Sequence, residues 1–169
     1  DEKIIKDSEL IFLEGYLWDE GEPKKAFEKA INNAKKVAMS LSDLFCVKRH
    51  KQNFLELVEK KLDLTFANES EIMELINVKN FNEVIDFAKE INKHIVITRG
   101  EKGAISIFGN EIIEIEANKN LTIKDLTGAG DLFAAGYLHG LINNLSTQKC
   151  LEQGTKLSSE VIQQIGARL

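Results

Sequence analysis

Apolar positions along the chain alternate between short runs and helical stripes. Residues 1–8 read as the tail of a helix or a loop. Leu10-Ile11-Phe12-Leu13 is an apolar run closed by Glu14-Gly15, and a short run bounded by glycine predicts a buried strand. Residues 16–21, with Tyr16 and Trp18, read as a loop. Pro23 stands where a helix can begin, because the first helical position needs no N–H donor. Ala26, Phe27, Ala30, Ile31, Ala34, Val37 and Ala38 then recur at helical spacing, predicting a helix within residues 24–40. Leu44-Phe45-Cys46-Val47 predicts a second buried strand. Phe54, Leu55, Leu57, Val58 and Leu62 mark an amphipathic helix, and residues 62–68 alternate as a third strand.

Helices are predicted over 72–75 and 81–91. Ile95-Val96-Ile97-Thr98 is β-branched and apolar, as in strands buried on both faces. Arg99-Gly100-Glu101-Lys102-Gly103 is a tight, glycine-bounded turn. Strands over 104–108 and 112–115 meet at Gly109-Asn110. Glycine comes first in that pair, which suits a type II′ hairpin better than type I′. A last helix is predicted over 147–165. Strands alternating with helices imply an α/β fold with a mainly parallel sheet. No repeat, low-complexity segment or linker divides the 169 residues.

Composition narrows the classes. With 43% hydrophobic and 29% charged residues the chain reads as a soluble globular protein. A net charge of −5 argues against a nucleic-acid surface, and Lys24-Lys25 and Lys35-Lys36 are explained by solvated helix faces. No apolar run reaches membrane-spanning length. Cys46 and Cys150 lack metal spacing, which points to a reducing, cytoplasmic setting, and the three histidines form no zinc pattern. The chain begins at Asp1 rather than Met, which suggests a piece of something longer.

Candidate chemistry concentrates in Asp125-Leu126-Thr127-Gly128-Ala129-Gly130-Asp131. A polar, glycine-rich turn runs directly into an apolar segment, 132–142, so the turn feeds the start of a buried helix. Helix starts leave N–H groups unpaired and carry partial positive charge, which together suit an anion. Asp131 puts a carboxylate in the first turn, unhelpful for binding an anion but useful for taking a proton from a hydroxyl that attacks phosphorus. Two other polar segments follow strands, 68–71 and 98–103, where ligands of open α/β sheets bind. Alone, Asn68 and Glu71 have the spacing of a capping box, and 98–103 of a plain turn. The P-loop pattern is absent. The dinucleotide pattern fails at its third glycine, which is Phe133.

The run Asp125–Asp131 with its apolar helix resembles the C-terminal signature of the ribokinase/PfkB family of sugar and nucleoside kinases. Asn68-Glu69-Ser70-Glu71 and Thr98-Arg99-Gly100-Glu101-Lys102-Gly103-Ala104 are similar to two further family segments, in the same order. Glu14-Gly15-Tyr16-Leu17-Trp18-Asp19 and Gly166-Ala167-Arg168 resemble its adenosine-kinase-like bacterial branch. The resemblance implies a ribokinase-like three-layer α/β/α sandwich. Residues 1–169 would be the C-terminal, ATP-binding and catalytic portion of one domain, without its N-terminal half.

By the same resemblance, Asp131 is the catalytic base, and Gly128, Ala129 and Gly130 form the anion hole. Asn68 and Glu71 organise Mg²⁺ and phosphates through water. Thr98, Gly100 and Gly103 line the ATP groove, and Gly154 and Thr155 flank adenine. Asp125 and Thr127 hold an activating K⁺, with carbonyls near Gly166. The substrate expected is a small sugar or nucleoside (adenosine, then fructose or ribose), with neither nucleic acid nor membrane as partner and a homodimer for the full-length protein. This chain alone is expected to show no turnover. The rival readings are a non-catalytic nucleotide- or anion-binding module and a dinucleotide-dependent oxidoreductase.

Overall fold

The computed structural model describes residues 1–18 and 21–169. Among the described residues six strands form one sheet, ordered in space as they follow one another along the chain. Contacts gather the chain into two compact units, Asp1–Val96 with Ile107–Asn110, and Ile97–Ser106 with Glu111–Leu169.

The first unit holds α1 (Glu2–Asp7), β1 (Ile11–Glu14), α2 (Glu22–Asn33), β2 (Val37–Ser40), α3 (Leu44–Glu56), β3 (Leu64–Asn68), α4 (Glu69–Ile76), α5 (Phe81–Ile91) and the start of β4 (His94–Thr98). β1 pairs parallel to β2 with Ile11 opposite Val37, and β2 parallel to β3 with Ala38 opposite Leu64. Each of these pairs is joined through a helix, the connection that parallel strands require. Trp18 meets Phe27 edge-on at 5.2 Å and Phe54 at 6.3 Å, and all three rings are buried. Asp19 and Glu20, the last residues but one of the loop expected over 16–21, lie outside the described residues; Gly15–Leu17 form a short 3-10 turn.

Two expectations fail here, for related reasons. The helix predicted within 24–40 stops at Asn33, and Val37–Ser40 is a strand. Val37, Ala38 and Met39 are all buried, so the strand shows no alternation and its apolar residues continue the helical count by coincidence. The strand predicted at 44–47 is instead the first turn of α3. Asp43 caps it, accepting from the Phe45 N–H at 2.6 Å, and Phe45 is exposed while Cys46 and Val47 are buried. A capped start outweighs a short apolar run.

In the same unit, Thr65 lies fully buried in β3 with a hydroxyl that has no hydrogen-bond partner among the described residues. His94 opens β4 against the Phe108 ring, 5.6 Å away, and burial pushes its imidazole down to about 4. Gly109 has a φ of 56° while Asn110 is not at positive φ, which agrees with the type II′ turn.

The second unit completes β4 and holds most of β5 (Ala104–Phe108), then β6 (Glu111–Ile115), α6 (Ala129–Ile142) and α7 (Thr147–Val161). The last helix is four residues shorter than the predicted 147–165. α6 and α7 cross backbone to backbone. A Cβ on Gly136 would lie 2.7 Å from the Gln153 carbonyl oxygen, and one on Gly154 would lie 2.7 Å from that of Phe133.

Candidate active site

The site is built in the second unit from three pieces of backbone. The first is the turn that leaves β4. Arg99 N–H donates to the Gly103 carbonyl at 2.8 Å, and Gly103 N–H to that of Gly100 at 3.0 Å, closing a 3-10 turn at Gly100–Lys102. Gly103 has a φ of 91°, and any Cβ there would collide with the Ile115 carbonyl oxygen. Glycine is therefore required for β6 to run beside this turn.

The second piece is the motif turn. Asp125 organises it: Oδ1 accepts from the Thr127 N–H at 2.9 Å and the Thr127 hydroxyl at 2.7 Å, and Oδ2 from the Gly166 N–H at 2.9 Å. The Thr127 N–H, then the Gly166 N–H and the Thr127 hydroxyl, hold the Asp125 carboxyl below the usual carboxylate range. Ala129 N–H closes the turn onto the Leu126 carbonyl at 3.2 Å, and Leu132 N–H reaches that of Gly128 at 2.9 Å. The N–H groups of Gly128, Gly130 and Asp131 are left without an acceptor among the described residues. These are the open donors of a helix start, so Ala129 is the one residue of the expected anion hole whose donor is already engaged. Asp131 is exposed in the first turn of α6.

The third piece is the irregular segment between β6 and α6. Asn118 Nδ2 donates to Ser159 Oγ at 3.0 Å, Thr122 N–H to Gln163 Oε1 at 3.4 Å, and Lys124 N–H to the Ile162 carbonyl at 2.8 Å. These ties run the segment along the end of α7 and the residues just after it.

Between the three pieces lies a cavity of about 660 Å³, the size class of small-molecule and cofactor sites. Thr98, Gly100 and Gly103 line it from the β4 turn, and Ala129 and Gly130 from the start of α6. Thr155 lines it from α7, whereas Gly154 is packed on the Phe133 ring instead. Phe133, Ile123, Leu126 and Ile162 supply apolar wall, and Ser158 and Asn118 polar edge. Sequence reasoning missed the wall from 117–126. That segment has no periodicity, and only its ties to α7 bring it to the site.

Asn68 and Glu71 belong to the first unit and do not line this cavity. They form the full capping box of α4: Glu71 N–H donates to Asn68 Oδ1 at 2.8 Å, and Asn68 N–H to Glu71 Oε2 at 2.9 Å. Asn68 Nδ2 reaches Glu71 Oε1 at 2.6 Å. Burial raises the Glu71 carboxyl and the charge of Asp43 adds to this, while the Asn68 N–H opposes both. Both Glu71 oxygens are thus engaged within the chain. Among the described residues no group of three or more His, Cys, Asp or Glu gathers as a metal site, and no helix is long and apolar enough to cross a membrane.

The chain resembles known proteins over its whole length. The crystal structure of adenosine kinase from Sinorhizobium meliloti superposes with a TM-score of 0.95 at 34% identity, over 100% of this chain and 53% of that one. The structure of a probable sugar kinase from Rhizobium etli gives 0.92 at 34% identity, over 99% and 52%. The nucleoside kinase of Methanocaldococcus jannaschii is 30% identical over 118 residues, 70% of this chain and 38% of that protein. The chain thus spans about half the length of its structural neighbours or less, and shares their ribokinase-like α/β architecture with a mainly parallel sheet. The family model described as pfkB family carbohydrate kinase matches residues 1–169, so the chain belongs to the pfkB family of carbohydrate kinases.

Proposed function

We propose that the protein to which this chain belongs transfers the terminal phosphoryl group of ATP to a hydroxyl of a small sugar or nucleoside. Adenosine is the first candidate, since an adenosine kinase is among its relatives, and fructose or ribose follow. The observation that carries the reading is the cavity itself. It brings the β4 turn (Thr98, Gly100, Gly103) and the start of α6 (Ala129, Gly130) to one space, with the exposed Asp131 one residue further along the helix.

In this reading the nucleoside end of ATP occupies the apolar part of the cavity, and its phosphates run toward α6. The N–H groups of Gly128 and Gly130 face the charge that builds on the transferred phosphoryl group, stabilisation that works because the donors are fixed beforehand. Asp131 takes the proton of the attacking hydroxyl as the oxygen–phosphorus bond forms and ADP departs. Phosphoryl transfer has a loose transition state in most analyses, so positioning matters more than base strength. Asn68 and Glu71 would steer hydrated Mg²⁺, whose chemistry is to neutralise phosphate charge. Asp125, kept ionised by its hydrogen bonds, and Thr127 fit a monovalent cation, which would add positive charge beside the anion hole. The acceptor is held by residues outside this chain, in keeping with relatives about twice its length, so the 169 residues alone carry out no transfer.

Asp131→Asn in the full-length protein tests the assignment. Turnover falls by about a thousandfold, while ATP binding followed by calorimetry persists. Turnover near the wild-type rate removes Asp131 as base. A wild-type protein that binds ATP but transfers to none of a panel of sugars and nucleosides is the non-catalytic binding module instead.

A further inference from the structure

Beyond the carbonyls near Gly166 expected at the cation site, the segment after α7 has no role in the chemistry above, yet it is tied to the motif turn at several points. Asp125 N–H and Lys124 N–H donate to the Ile162 carbonyl at 3.3 and 2.8 Å, and Gly166 N–H donates to Asp125 Oδ2 at 2.9 Å. Gln164 Nε2 donates to the Arg168 carbonyl at 2.6 Å, which holds the segment's own bend, and a φ of 93° at Gly166 permits that bend. Ala167 is thereby set against Gly128. A Cβ on Gly128 would lie 2.8 Å from the Ala167 methyl carbon and 2.9 Å from its Cα. Gly128 is also the N-cap of α6, in the left-handed region with a φ of 79°.

Resting on the phosphotransferase reading, we infer that Ala167 is a positioning residue for the anion hole. Its methyl group is the stop against which Gly128 is set, and the Gly166–Asp125 hydrogen bond holds the stop in place. The position of Gly128 decides where its own N–H and that of Gly130 point, because the Gly128 carbonyl accepts from the Leu132 N–H at 2.9 Å and so ties Gly128 to the first turn of α6. Ala167 touches neither phosphate nor acceptor in this account. It acts through Gly128 alone. The size of residue 167 is therefore bounded on both sides: a larger side chain pushes the motif turn toward the phosphates, and glycine leaves the turn without its stop. Ala167 is exposed, so substitution there leaves the core intact.

The test uses the full-length protein with Ala167→Val, Ala167→Gly and the near-isosteric Ala167→Ser. A displacement of a fraction of an ångström at a phosphoryl-transfer site lowers kcat by about tenfold, so Ala167→Val and Ala167→Gly are each expected to lose about tenfold in kcat. KM for ATP stays within about twofold, since the β4 turn and the apolar wall are untouched. Ala167→Ser retains both constants. Amide hydrogen exchange of the peptide containing residues 125–131 provides a second readout that needs no activity: Ala167→Gly exchanges faster there than wild type, Ala167→Ser does not. Unchanged kcat in both Val and Gly variants, or unchanged exchange in the Gly variant, overturns the inference while leaving the kinase reading in place. A wild-type protein without phosphotransfer, whose turn nevertheless loosens in Ala167→Gly, overturns the kinase reading and confines Ala167 to positioning an anion-binding turn.

Discussion

A single hydroxyl shows what the sequence conceals at the residue scale. Thr65 reads as an ordinary β-former in a strand, yet its hydroxyl is fully buried in β3 without a partner among the described residues. Removing an unmet polar group from a core of the right shape relieves its desolvation penalty. Thr65→Val is therefore expected to stabilise the protein by about 1 kcal/mol, seen as a higher urea midpoint at unchanged slope. A lower midpoint would mean that the hydroxyl does find a partner, such as a buried water. The motif turn was legible for the opposite reason: Gly128 and Gly130 are small and Asp131 charged at the spacing of a turn that opens a helix, which is where α6 starts. What no pattern predicted was that Ala129 spends its N–H on Leu126, since a turn's internal bonding depends on backbone angles rather than on residue type.

Elements were legible wherever their boundaries were written in side chains. α5 runs over Phe81–Ile91 as predicted, with Asn80 and Glu83 forming a capping box. β4 and the hairpin of β5 and β6 were found because β-branched runs met glycine. β2 and the start of α3 were misread because a strand buried on both faces has no period, and four apolar residues do not tell strand from helix. Asp43 was the overlooked signal. Its carboxylate caps α3 at 2.6 Å, so Asp43→Ala is expected to lower stability by about 1 kcal/mol, measured by urea denaturation with helix content followed by circular dichroism. An unaltered midpoint would leave the cap without energetic weight. The 117–126 segment was invisible at this scale, because its form comes from hydrogen bonds to α7 and not from its own sequence.

Fold class and family follow from the order of elements together with one motif, and neither depends on the two misread segments. Moving the second strand from 44–47 to Val37–Ser40 keeps both the number of strands and the alternation. The chain covers 53% of the Sinorhizobium neighbour, and its sequence left the proposed acceptor open among adenosine, fructose and ribose. Stability of the whole molecule should respond to acid through His94. Folded, its imidazole titrates near 4; unfolded, near 6.5. Between those values the unfolded chain binds the additional proton, so stability is whole above pH 6.5 and declines as pH falls toward 4. The loss is about 2 kcal/mol, after allowance for the ring's remaining contact with solvent. His94→Phe is expected to flatten that part of the stability curve, measured by denaturant melts at a series of pH values. A variant with the same acid slope as wild type would place the sensitivity elsewhere.

The backbone contact between α6 and α7 at Gly136 and Gly154 has a mechanical consequence. With no side chains to act as cushions, neither helix can slide or roll without the other, so the pair behaves as one stiff lever. One arm is the cavity wall around Thr155 and Ser158, and the other is the start of α6 with its open N–H groups. On the phosphotransferase reading, a ligand held against that wall would stiffen the motif turn without any of its atoms reaching it. On that same reading a bare nucleoside, lacking every phosphate, is expected to slow amide exchange at residues 125–131, and unchanged exchange would uncouple the wall from the turn.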